Sequence, residues 1–345
     1  MPRRRPLLAF AALAVTGAIA LTGCVAGEGS SIAADPEPAA QEGWSADTLD
    51  IDFATYNPLS LIIKDQGWLE EATDGEVTVN WLQSAGSNKA NEALRAGAID
   101  VGSTAGSAAL LARSNGSPIK TIDIYTQPNW SAILVPAGSP ITSVEELRGK
   151  SIAATKGTDP YFFLLQTLEE AGLTLADVNV QNLQHADGKA ALESGAVDAW
   201  SGLDPLLSTS VATAGSKIIY DNVDFNTYGF LNATEDFLEA SPDLAQLVVD
   251  AYEKARAWAL ENPEETAAIL AEVAGIDPAI AEATIERTVI DIDNVPGDAQ
   301  RDVLEVVGPI FVESGDVADQ KSIDTALDSL FDDSFATEAD PDSLG

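Results

Sequence analysis

Basic residues are scarce in this chain: 18 Lys and Arg stand against 55 Asp and Glu, for a formal net charge of −37. That balance excludes nucleic acid and anionic lipid surfaces as partners, because the long-range field repels polyanions. It also predicts that any bound anion is held by local dipoles. A single cysteine, Cys24, excludes a disulfide framework. A single histidine, His185, with no nucleophile-elbow pattern, leaves a hydrolase without a base beside a nucleophile. The same shortage of His and Cys leaves no metal centre, and no cofactor is expected.

What is present begins with Arg3, Arg4 and Arg5, followed by an apolar run from Leu7 to Leu21 that ends in Leu21-Thr22-Gly23-Cys24. A basic start and a short apolar stretch read as a signal peptide, too short for a comfortable membrane span. Leu-x-Gly-Cys directly after it reads as a bacterial lipobox, so Cys24 is expected to carry a lipid and to anchor the protein outside the membrane. From Val25 to about Ala46 the chain is small and polar, which predicts a tether.

The most informative feature is internal. Ala93-Leu94-Arg95-Ala96-Gly97-Ala98-Ile99-Asp100 returns as Ala191-Leu192-Glu193-Ser194-Gly195-Ala196-Val197-Asp198, 98 positions on. Val77 to Gln83 returns as Val178 to Gln184, 101 positions on, so the difference falls in one loop. Each unit reads strand, helix, strand, helix, strand, and two such units are a domain duplication. Gly97 and Gly195 fall where a helix must stop, and Asp100 and Asp198 are expected in turn or helix-end roles. Right-handed crossovers make each unit a parallel sheet flanked by helices, with ligands beyond the strands' carboxyl ends, where helix N-termini point.

Apolar strands around Ala132 to Val135 and Phe225 to Leu231 are suited to carry the chain between the units. The remainder, from Ser241 to about Phe331, is helical by periodicity, with starts at Asn262-Pro263 and Asp277-Pro278, and is expected to complete the core of the first unit. The expected organisation is a signal peptide at 1–23, a tether at 24–47, lobe one at 48–130 and 228–332, lobe two at 131–227, and a disordered acidic tail at 333–345.

Asn91-Glu92-Ala93-Leu94-Arg95-Ala96-Gly97-Ala98-Ile99-Asp100-Val101-Gly102-Ser103-Thr104, Leu147-Arg148-Gly149-Lys150-Ser151-Ile152-Ala153, Lys156-Gly157-Thr158 and Gly195-Ala196-Val197-Asp198-Ala199-Trp200 with Asp204-Pro205 carry a resemblance. The chain resembles α/β proteins of the two-lobed type II periplasmic-binding fold, and within it the aliphatic sulfonate, taurine and nitrate solute-binding proteins. The resemblance covers residues from about Leu49 to about Leu330. It implies two hinge crossings, a ligand held between the lobes, and a monomer that docks on the permease subunits of an ABC importer.

It also implies a cleft lined by Tyr56-Asn57, Ser84-Ala85-Gly86-Ser87, Ser103-Thr104, Gly157-Thr158-Asp159 and Trp200, with Gln127 and Trp130 near a crossing. Ser84 to Ser87 and Gly157 to Thr158 each open a helix with small residues, which suits an oxyanion. Tyr56, Trp130, Tyr161 and Trp200 can wall an organic tail or form core. Lys156 can meet the anion or solvent, His185 aligns with Ser84 in the repeat, and Asp204 completes the candidate set. An aliphatic sulfonate is the expected ligand. Nitrate, taurine and a pyrimidine precursor remain alternatives within transport, and an enzyme or a surface sensor remains one outside it.

Overall fold

Alternation in Leu49-Asp50-Ile51-Asp52-Phe53 produces β1 (Thr48–Phe53), which turns Leu49 and Ile51 into the lobe-one core. The computed structural model describes residues 43–344, so the readings on the signal peptide, Cys24 and the tether up to residue 42 lie outside the described residues. Asn57 then caps α1 (Pro58–Gln66), whose first position is a proline. Next come α2 (Trp68–Ala72), β2 (Thr78–Gln83), α3 (Ser87–Arg95), β3 (Val101–Ala105), α4 (Gly106–Ser114) and β4 (Ile119–Pro128).

The chain crosses at Asn129-Trp130 into β5 (Ser131–Val135). Lobe two continues with β6 (Ser151–Ala154), α5 (Asp159–Glu170), β7 (Asn179–Asn182), α6 (His185–Glu193), β8 (Ala199–Leu203), α7 (Leu206–Ala214) and β9 (Lys217–Tyr220). A second crossing returns through residues 221–228 to β10 (Gly229–Thr234). There follow α8 (Glu235–Ala240), α9 (Pro242–Glu261), α10 (Pro263–Ala274), α11 (Pro278–Glu286), β11 (Thr288–Val289), α12 (Asp298–Glu313), α13 (Gln320–Leu330) and α14 (Ser334–Thr337).

Lobe one holds the strand order β11-β4-β10-β3-β1-β2 and lobe two β7-β6-β8-β5-β9. In both, three parallel strands of the repeat are followed by an antiparallel strand that has just crossed: β10 beside β3, and β5 beside β8. The two sheets are therefore copies of one plan, each completed by a strand that enters from the other lobe. Gly97 (φ 63°) and Gly195 (φ 72°) take the left-handed conformation that ends α3 and α6. Asp100 accepts from the Asp50 N–H and Asp198 from the Ser151 N–H, so each aspartate ties the start of one strand to its neighbour.

Two expectations need correction. The acidic tail is ordered as far as residue 344: Asp250 on α9 accepts from Asp340 N and Ser343 Oγ, and Leu344 is buried against the lobe-one core. Its sparse apolar residues, Phe335, Ala336 and Leu344, suffice to dock it. The C-terminal helices also do more than complete lobe one. Phe311 of α12 lies 4.3 Å, centroid to centroid, from Phe162 of α5, and one apolar cluster runs from Ile152 of lobe two through Phe311 to Leu110 of α4.

Candidate functional site

The carboxyl ends of the parallel strands of both lobes face one another, and the loops that follow them are in contact. Lobe one presents Ala54–Asn57 after β1, Ser84–Gly86 after β2 and the start of α4 after β3; lobe two presents Thr155–Thr158 after β6 and Leu183-Gln184 after β7. A Cβ on Gly86 would come within 2.9 Å of His185 Nε2, and one on Gly157 would lie 3.5 Å from Asn88 Cβ. Asn88 Nδ2 also reaches Gln184 Oε1 at 3.4 Å.

Three helices begin at this contact without a side-chain cap: α3 after Gly86, α5 after Thr158 and α6 after Gln184. The starts of α3 on one side and α6 on the other leave first-turn N–H groups at this contact, an arrangement suited to an oxyanion. The start of α5, which opens Asp159-Pro160, adds only the Asp159 N–H, because Pro160 has none and Tyr161 N is bonded to Thr158 O. The lack of a side chain at Gly86 lets His185 and Asn88 pack against its backbone, and Gly157 takes a left-handed conformation (φ 78°) beside Asn88.

Buried polar groups line the same place. Asp52, fully buried, accepts from Ser103 N (2.8 Å) and Ser103 Oγ (3.1 Å) where β1 and β3 part. Burial pushes its carboxyl up to about 7, against the lowering effect of the Ser84 and Ser103 donors. Tyr56 donates to Ser103 O (2.9 Å) and meets Trp130 edge to face at 6.1 Å. Ser87 Oγ accepts from Ala105 N.

His185 is 2% exposed, and burial lowers its pKa to about 4, so the ring is neutral. Thr155 Oγ1 spends its hydrogen on Leu183 O (2.7 Å), so at 3.2 Å from His185 Nδ1 it can only accept. The ring proton therefore sits on Nδ1. Nε2 is left as a lone-pair acceptor with no partner, facing Gly86.

Asp159, at the first position of α5, has a different task. Its carboxylate accepts from Ser107 Oγ (2.6 Å) of α4, Trp130 Nε1 (2.7 Å) at the first crossing, and Thr227 N (2.8 Å) and Oγ1 (2.7 Å) at the second. Burial raises its pKa, and the four donors offset this only in part. It latches lobe two to lobe one and to both crossings, and its oxygens are occupied by protein donors.

The other sequence candidates divide. Tyr56, Ser84, Gly86, Ser87, Ser103, Trp130, Gly157, Thr158 and His185 gather at the interlobe contact, with Ala85 exposed on its rim. Lys156 is exposed, with its ammonium 5.2 Å from the Tyr161 ring centroid. Tyr161 lies in the apolar cluster beside α12, where burial and then Asp316 raise its pKa.

Several candidates do not line the cleft. Asn57 is spent on capping α1 and on Tyr252 OH, and Thr104 Oγ1 on Asn232. The Gln127 backbone pairs with Val289 of β11. Trp200 is a correction of another kind: it is fully buried in the lobe-two core, its indole edge filling the space left by Gly188 of α6. Asp204 caps α7 through Ser208 and pairs with Arg287 at 3.2 Å. Sequence reasoning missed Asp52, Ser107, Thr155, Thr227 and Arg287; the last also donates to Asn129 O at the first crossing (2.6 Å).

Comparison with known proteins agrees with this architecture. Residues 60–266 match the family described as NMT1/THI5 like. A protein of Bacillus subtilis (strain 168) named as an aliphatic sulfonates-binding protein is 31% identical over 239 residues, covering 68% of this chain and 71% of the relative. Its namesake in Escherichia coli (strain K12) is 30% identical over 226 residues, covering 65% and 71%. The structure of the alkanesulfonate-binding protein SsuA from Xanthomonas axonopodis pv. citri, bound to MOPS, shares the fold. Its TM-score is 0.73 at 24% identity, covering 81% of this chain and 98% of that one. The chain belongs to the NMT1/THI5-like family and is a solute-binding protein of the two-lobed periplasmic-binding fold.

Proposed function

We propose that the protein captures an aliphatic sulfonate between its lobes, outside the cell membrane, and delivers it to an ABC importer. The observation that carries this reading is the convergence of α3, α5 and α6, each uncapped by a side chain, on one interlobe surface with glycines at 86 and 157. The starts of α3 and α6, with the Asp159 N–H of α5, supply neutral, oriented donors for an oxyanion that the charge of −37 repels at long range. Tyr56 and Trp130 add aromatic surface beside them for the carbon tail. The names of the relatives from Escherichia coli and Bacillus subtilis support the sulfonate head group. In this reading Cys24 carries the lipid that holds a monomeric receptor near its permease.

Trp130 at the first crossing provides the readout. Intrinsic tryptophan fluorescence titrated with ethanesulfonate, sulfate, nitrate and a pyrimidine should saturate with ethanesulfonate at the lowest concentration. Saturation by nitrate or the pyrimidine alone would replace the sulfonate with that ligand, and silence towards every sulfonate would overturn the assignment.

A further inference from the structure

Two cavities, of 460 Å³ and 390 Å³, adjoin along the junction of α5 with α12 and share Glu169, Ile310 and Glu313. Leu168 and Leu175 line the first and Phe225 and Val306 the second, so the pair forms one groove with an apolar floor. Helix α12 is apolar on two faces. Leu304, Val307 and Phe311 are buried in the core, while Val306, Pro309 and Ile310, at spacings of three and four, face the groove. Val306 is 64% exposed, more than any other large apolar side chain among the described residues. A helix face turned to water is ordinarily polar, and an apolar stripe within a polar rim marks a surface that another chain covers. The rim here is acidic, with Glu169, Glu170 and Glu313 and no Lys or Arg lining either cavity. The Glu169 and Glu313 carboxylates have neither a hydrogen-bond donor nor an ion-pair partner among the described residues.

We propose that this groove docks a short amphipathic helix of a partner protein, with aliphatic side chains on one face and lysine or arginine flanking them. Charge complementarity selects that occupant: its cations pair with Glu169 and Glu313, and its aliphatic face covers Val306 and Ile310. A second copy of this chain is disfavoured by the net charge of −37 on each. The chain's own segment 25–42 is unsuited as well, because it carries Glu28, Asp35, Glu37 and Glu42 and no basic residue. From Val306 to Glu313 the helix α12 rises about 10 Å, which matches about two turns of a docked helix. The proposal is independent of what the interlobe cleft holds.

The probe is a synthetic helix of about 14 residues, with leucines at spacings of three and four and lysines beside them, titrated by fluorescence anisotropy at physiological salt. It should bind with a dissociation constant of about 10–100 µM, and a scrambled peptide of the same composition at least about tenfold more weakly. Val306→Lys should weaken the helix at least about tenfold. Leu260→Lys, which adds the same charge at a 50% exposed leucine on α9, should leave its affinity within about twofold. Equal binding of the two peptides, equal effects of the two variants, or no binding of the helix would overturn the proposal. So would a concentration-dependent dimer in sedimentation velocity that Val306→Lys abolishes, since a second copy would then occupy the groove. The peptide comparison on the unaltered protein decides the matter even if a variant fails to fold.

Discussion

Asp52 and His185 are buried ionisable residues on the two sides of the cleft, and burial moves their pKa values in opposite directions, to about 7 and about 4. For Asp52 the folded value is raised, so its contribution to stability is complete below the unfolded value near 3.8 and is lost as pH rises through 7. For His185 the folded value is lowered, so its contribution is complete above 6.5 and is lost as pH falls through 4. Between about pH 4 and 6.5 the two slopes oppose each other, which hides both in the whole protein. Asp52→Asn removes one of them. Urea denaturation at pH 4, 5.5, 7 and 8 should show the variant gaining on the parent as pH rises, by up to about 4 kcal/mol across the window. Parallel pH profiles for the two proteins would show that Asp52 is ionised alike in the folded and unfolded chain.

At the scale of elements, the repeat made much of the architecture legible. Gly97 and Gly195, Asp100 and Asp198, and the two runs of strand, helix, strand mark equivalent positions in the two sheets, and the helix starts at Pro263 and Pro278 follow from Asn262 and Asp277. Side-chain direction was less legible. Trp200 corresponds to Gly102 in the repeat, which suggests a bulky group added at the cleft. In space the exchange is internal: Gly102 is closed over by Ile99 and Leu94, whereas in lobe two the smaller Val197 and Gly188, where lobe one has Ala90, leave a volume that the indole fills. The large residue changes position between the copies while the space around it stays filled. Trp200→Ala should accordingly cost about 3–5 kcal/mol in thermal or urea unfolding. The folded fraction should bind short and long sulfonates with the same ratio as the parent; selective loss of the longer ones would return Trp200 to the cleft wall. Asp52 escaped notice for a related reason. Alternation in β1 assigns it to a polar face, and only the parting of β1 from β3 at their ends buries it against Ser103.

For the whole molecule, the question is what holds the lobes together, and no local pattern announces it because every contact is long-range. Periodicity finds α12 but not its partner α5, and Asp159 looks like an ordinary first-turn acid. Its four donors come from α4 and both crossings, so these hydrogen bonds tie α5 to lobe one and to the hinge. Arg287, bound to Asn129 O and paired with Asp204 and Asp221, ties α11 to the first crossing and to lobe two. Phe311 against Phe162 adds an apolar contact between α12 and α5. Asp159→Ala leaves these other ties in place and removes the carboxylate alone. A net loss of about 3 kcal/mol from the closed form would shift the open-to-closed ratio by about a hundredfold. Small-angle X-ray scattering of the ligand-free variant should then give a larger radius of gyration than the parent, and saturating sulfonate should bring the two values together. Equal radii without ligand, at undiminished thermal stability, would mean that the closed state is held by Arg287 and the Phe162–Phe311 contact, with Asp159 along for the ride.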